Sequence, residues 1–147
     1  DKLRIISGFY GVLRPLDGIV PYRLEMESKI NINGKGDLYS FWGKSLAEEV
    51  GRGESLVVNL ASEEYSKAVI PHLEKHMEVV TPLFLEEVDG SYVTKGVYAK
   101  MARGEMVRFL SENNVEDREG IKEFSVRGYR YDEALSSSNK MAFVRKG

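Results

Sequence analysis

The pair Asp89-Gly90, set between two runs rich in strand-forming residues, constrains this chain more than any other feature. Asp-Gly tolerates the positive φ angles of a tight hairpin turn, so the flanking runs, 78–88 and 92–97, are expected to pair as antiparallel strands. A hairpin alone is only marginally stable, so the rest of the chain must extend it or cover it. Further strands are available. Leu3-Arg4-Ile5-Ile6 reads as a buried strand entering Ser7-Gly8, and Leu56-Val57-Val58-Asn59-Leu60 as a short one. Segments 128–132 and 141–145 add two more across the polar loop Ser136-Ser137-Ser138-Asn139.

Helices should pack on that sheet. Asp37 is a natural N-cap for a helix reaching residue 50, with Leu38, Phe41, Trp42, Leu46 and Val50 along one stripe. Ser62 is expected to cap the next helix, with Glu63 and Glu64 at its positive end. A helix over 99–112 puts Ala102, Met106, Phe109 and Leu110 on one face, and a shorter one follows near 117–123. Residues 9–21, punctuated by Gly11, Pro15, Gly18 and Pro21, read as a loop, 22–32 as extended chain, and 33–36 as a turn. The fold class expected is α/β or α+β: one domain, a mixed sheet with packed helices.

Composition sets limits on chemistry. Hydrophobic residues make up 42% of the 147 and charged residues 30%, which are globular proportions. The absence of cysteine excludes disulfides, thiolate nucleophiles and cysteine metal sites. No apolar run approaches the roughly 20 residues of a membrane span. The net charge of −2 gives no global positive field, so any polyanion site has to be a local patch.

Three segments could carry such a patch. Arg14-Pro15-Leu16-Asp17 and Pro21-Tyr22-Arg23-Leu24-Glu25-Met26 put two arginines, two acids and a tyrosine in one glycine- and proline-set loop. Arginine forks suit phosphate or carboxylate, although Arg14 with Asp17 and Arg23 with Glu25 could equally be ion pairs that shape the loop. At the strand-to-helix junction 59–67, Ser62, Tyr65 and Lys67 could flank an anion at a helix start, or Ser62 could be an ordinary cap. On the 99–112 helix, Lys100, Arg103 and Arg108 fall largely opposite the apolar face, either as a phosphate-binding surface or as a solvated basic one. Gly104 among them suggests a close approach to the backbone. His72 and His76 are spaced four apart, but no glutamate follows His72 in the metalloprotease pattern, and no metal or cofactor is expected.

Taken together and in order, these blocks resemble one family. The run from Ile6 to Asp17 with Pro21-Tyr22-Arg23-Leu24-Glu25-Met26, then Leu38-Tyr39-Ser40-Phe41-Trp42-Gly43, Val58-Asn59-Leu60-Ala61-Ser62-Glu63-Glu64-Tyr65, Tyr98-Ala99-Lys100-Met101-Ala102-Arg103-Gly104, Gly128-Tyr129-Arg130-Tyr131-Asp132 and Ser136-Ser137-Ser138-Asn139 are similar to the YaaA family of peroxide stress resistance proteins. Family members are longer at the amino end, so the resemblance implies that 1–147 is a single YaaA-type domain lacking that portion. It further implies a cytoplasmic protein linked to hydrogen peroxide stress, lowered free iron and DNA binding of low specificity, with no membrane partner. The family's basic cleft would then be lined by Arg14, Arg23, Lys67, Lys100, Arg103 and Arg108. Another reading of the same cleft is an enzyme acting on a nucleotide or modified base. Glu25 or Asp17 would be the general base, Arg14 or Arg23 the electrostatic stabiliser, and Ser62 and Tyr65 further polar groups. The resemblance settles no catalytic residue.

Overall fold

Two glycines let the chain turn back on itself near its start. In the computed structural model, which describes residues 2–146, β1 (Ile5–Ser7) pairs antiparallel with β2 (Gly11–Leu13), in the register Ile5 with Leu13 and Ser7 with Gly11. Sequence reasoning left β2 inside a loop, because three residues between glycine and proline carry too short a pattern to register as a strand. Gly11 has φ +80, and a Cβ there would lie 2.9 Å from the Trp42 ring. Gly8 is equally confined, since a Cβ would meet the Leu24 carbonyl oxygen at 2.8 Å. Each glycine lets the backbone approach where no side chain fits.

The chain divides into two compact units, 2–57 with 61–77 and 58–60 with 78–146. In the first, Asp37 caps α1 (Leu38–Trp42) by accepting the Ser40 N–H at 2.7 Å. The single helix expected over 37–50 is two: Gly43, at φ 53, ends α1, and α2 (Ser45–Gly51) restarts after it. The stripe nonetheless packs inward. Met26, Leu38, Leu46, Ala47, Ala68 and Val69 form the buried core, with Trp42 packed against it. The Trp42 indole N–H donates to the Gly8 carbonyl at 3.1 Å, which satisfies its one donor.

A five-stranded mixed sheet has the order β3-β4-β7-β6, with β5 paired to β4, and its strands β4, β5, β6 and β7 belong to the second unit. The strands are β3 (Leu56–Val58), β4 (Glu78–Val88), β5 (Ser91–Val93), β6 (Arg130–Asp132) and β7 (Lys140–Lys146). The hairpin forms where Asp89-Gly90 requires it, with φ 50 and 75 at the turn and Val88 opposite Ser91. β7 runs parallel to β4 and antiparallel to β6. Along β4 burial alternates, so that Val80, Pro82, Phe84 and Glu86 face inward.

Between β5 and β6 lie α4 (Gly96–Glu112) and α5 (Arg118–Lys122), the latter capped by Asp117, which accepts the Gly120 N–H at 2.8 Å. Ala102 and Met106 of α4 and Ile121 of α5 are fully buried. Phe84, Phe124 and Phe143 meet with ring centres 5.6–5.7 Å apart. Burying each such ring contributes about 2–3 kcal/mol, so this trio dominates the unit's core. Among the described residues, no helix is long and apolar enough to cross a membrane.

Candidate functional site

In the first unit the loop after β1 is held tightly and still left open to solvent. The Ser7 hydroxyl, 2% exposed, accepts the backbone N–H groups of Phe9 and Tyr10 at 3.2 and 3.0 Å and hydrogen-bonds the Tyr22 hydroxyl. The Tyr10 hydroxyl accepts the Val20 N–H at 2.9 Å. These bonds gather Phe9, Tyr10 and Tyr22 into a ring cluster with centres 4.9–5.4 Å apart. Phe9 stays 55% exposed and Tyr22 39%.

The flanking charges follow from the same loop. Asp17 does not pair with the Arg14 guanidinium. It accepts the Arg14 backbone N–H at 2.7 Å, and the Asp17 N–H donates to the Arg14 carbonyl at 3.1 Å, closing a tight turn. The Arg14 side chain is therefore projected outward, 64% exposed, with Glu49 at 3.7 Å as its nearest carboxylate contact. Arg23 and Glu25 are also exposed.

Tyr65 is brought to the same place from α3 (Glu63–Ser66). Burial, helped by the nearby Glu64 and Tyr22, pushes its phenol above the ordinary value, while a hydrogen bond from the Met26 backbone opposes the rise. Glu25 lies within electrostatic range of the phenol as well. Two segments that the sequence marks separately, 22–26 and 62–65, thus converge. Ser62 stands at the N-cap position of α3, which has only four residues, but the capping bond expected of it does not form. Lys67 is drawn to Glu63 at 3.2 Å, which pushes its pKa up.

In the second unit the three predicted cations part company. Lys100 is exposed, Arg103 donates to the Leu60 carbonyl at 3.4 Å, and Arg108 is engaged by Glu112 at 2.8 Å. Gly104 has nothing within 4 Å of where a Cβ would sit, so among the described residues no other segment approaches its backbone there.

Sequence reasoning missed the strongest electrostatic feature of this unit. Glu86, 2% exposed, accepts from the Tyr129 hydroxyl at 2.7 Å and from Arg145 Nε at 2.6 Å. The Arg145 guanidinium lies over the rings of Tyr98 and Tyr129, 4.4 and 4.9 Å from their centres. Burial pushes the Glu86 carboxyl up, but the bonds from Arg145 and Tyr129 outweigh it and hold the group below its ordinary value. Burial and the Glu86 carboxylate together push the Tyr129 phenol up to about 12. A signal for this cluster exists in the sequence. Glu86 occupies the inward phase of β4, where an acid demands a partner, and Arg145 is its register partner on β7.

A second polar group surrounds the serine loop. Arg118 donates to Glu78 at 3.0 Å and to the carbonyls of Ser137 and Ser138 at 2.9 and 2.6 Å, beside an open depression of about 570 Å³. The donors of Arg118 are thereby committed to shaping the loop. Among the described residues, no group of three or more histidine, aspartate or glutamate side chains is placed to hold a metal ion.

A family model described as "Peroxide stress protein YaaA" matches residues 1–135. The chain belongs to the YaaA family. A "UPF0246 protein" of Limosilactobacillus reuteri (strain DSM 20016) is 48% identical over 143 residues, covering 97% of this chain and 57% of that protein. Proteins of the same name from Agathobacter rectalis and Lactiplantibacillus plantarum are 47% and 44% identical, covering 99% and 97% of this chain. The chain spans 57–59% of the length of these three relatives. The resemblance drawn from the sequence blocks is confirmed at the level of the family, and the expected mixed α/β fold is the one observed.

Proposed function

We propose that this YaaA chain helps a peroxide stress protein shield DNA in the cytoplasm by holding its phosphate backbone with little regard to sequence. The observation that carries the reading is the outward projection of Arg14. Asp17 is spent on the backbone of the turn, which leaves the guanidinium 64% exposed in the loop that also carries Arg23. Lys100 offers a comparable exposed charge in the second unit. Lys67 and Arg108 share their charge with helical neighbours, and exposed pairs of that kind are worth little, so a phosphate can compete for them. With a net charge of −2, attraction comes from these local groups rather than from the whole molecule.

Phosphate contacts release counterions, so duplex binding by the full-length protein should weaken linearly on a log–log plot against salt, with a slope near −0.9 per contact. Binding that is absent at low salt, or indifferent to salt, contradicts the proposal. Lowered free iron is read as an accompaniment of the stress response, with no iron site placed on this chain.

The convergence of Glu25, Tyr22 and Tyr65 supports a second reading, an enzyme acting on a nucleotide or modified base. The raised phenol would remain protonated at neutral pH and serve as a hydrogen-bond donor, with Glu25 as base. Nucleic-acid turnover unchanged by Glu25→Gln removes that reading.

A further inference from the structure

We infer that the ring cluster of Phe9, Tyr10 and Tyr22 is a stacking platform for unpaired bases, making single-stranded DNA a ligand of this loop in addition to duplex. The inference rests on the phosphate-binding reading above and adds a base-recognising surface to it.

Three observations carry it. The first is exposure against cost. Phe9 and Tyr22 leave 55% and 39% of their surface open, although aromatic rings normally gain by burial. The second is rigidity. The buried Ser7 hydroxyl fixes the Phe9 and Tyr10 backbone and the Tyr22 phenol, and the Tyr10 phenol is fixed in turn by the Val20 backbone. Phe9 and Tyr22 face solvent from a backbone and a phenol already held in place, so a base stacking on them orders little of the chain. The third is charge. Arg14 directly follows β2 and Arg23 directly follows Tyr22, so two exposed arginines belong to the same loop as the rings. Glu49 meets Arg14 at 3.7 Å, an exposed ion pair worth little, so a phosphate can compete for the guanidinium. Asp17 is committed to the Arg14 backbone, and Glu25 is the one exposed carboxylate between Arg23 and Met26.

Aromatic faces interleaved with backbone-tracking cations are the combination that binds single strands without sequence preference, because every base presents a π-face. An intact duplex keeps its bases stacked internally and would engage only the cations. Ordered rings therefore separate the two ligands: duplex reads the arginines, whereas an unpaired strand reads the arginines and the rings.

The test uses full-length protein and fluorescence anisotropy with a labelled oligothymidylate and a labelled duplex at one moderate salt concentration. Phe9→Ala should weaken oligothymidylate binding on the order of 10-fold, leave duplex binding within about twofold, and leave the melting temperature unchanged. Phe9→Trp should restore or strengthen single-strand binding, because the larger ring offers more stacking area. Equal losses for both ligands, or no loss for either, overturn the platform. So does a drop of several degrees in the melting temperature of Phe9→Ala, which would mean that the rest of the polypeptide covers the ring. Wild-type protein that binds duplex but not oligothymidylate overturns the platform alone. Wild-type protein that binds neither overturns the phosphate-binding reading and the platform with it.

Discussion

At the residue scale, the balance of forces is clearest at Glu86. An inward-facing carboxylate is costly to bury, and the molecule offsets that cost with Arg145 and Tyr129. Because the folded-state pKa of Glu86 lies below its ordinary 4.5, the stability it contributes is fully present at neutral pH. That contribution is lost as pH falls from the ordinary value through the lowered one. Glu86→Gln keeps the shape but leaves Arg145 without its counter-charge, so chemical denaturation at pH 7 should show a loss of about 3 kcal/mol. The variant should also lose less stability than wild type between neutral pH and acid, since its site no longer titrates. A variant as acid-sensitive as the parent would show that Glu86 is not the group responsible. Tyr129 works at the opposite end. Its phenol, pushed up to about 12, stays neutral in the folded state when the unfolded chain has begun to ionise near 10, so stability declines over that alkaline interval.

At the element scale, most of the framework was legible in the sequence. Asp89-Gly90 announces the hairpin, Asp37 caps the helix it precedes, the short helix near 117–123 is present, and the apolar faces of α1, α2 and α4 point inward. What escaped is explained by length and by context. β2 has three residues, too few for a period to emerge, and it exists because β1 and Trp42 hold it. The break between α1 and α2 turns on a single glycine at φ 53, which a stripe of apolar residues does not disclose. Of the candidate site, the loop residues 14–25 and Tyr65 were marked by residue type, but their convergence depends on tertiary packing. Gly104 tests the helix directly. It lies in mid-α4 with open space around it, so Gly104→Ala should raise stability by about 1 kcal/mol through helix propensity. A destabilised variant would mean that something occupies that space in the full-length protein.

At the scale of the whole molecule, the absence of an overall positive field shifts the burden to a few exposed cations. Arg14 and Arg23 are exposed in the loop that also carries the aromatic cluster, and Arg14 meets Glu49 only at 3.7 Å, whereas Lys67 and Arg108 hold their neighbouring acids at 3.2 and 2.8 Å. Sequence alone could not separate these groups, because an arginine three residues before an aspartate looks the same whether its guanidinium or its backbone takes the bond. The structure shows the backbone taking it. The central claim is that the exposed Arg14, together with Arg23, contacts DNA phosphates. The most direct measurement is the salt dependence of duplex binding by full-length wild type and by Arg14→Ala/Arg23→Ala, followed by anisotropy. The account predicts weaker binding by the double variant and a log–log slope shallower by roughly two. A double variant with the affinity and slope of wild type would contradict it.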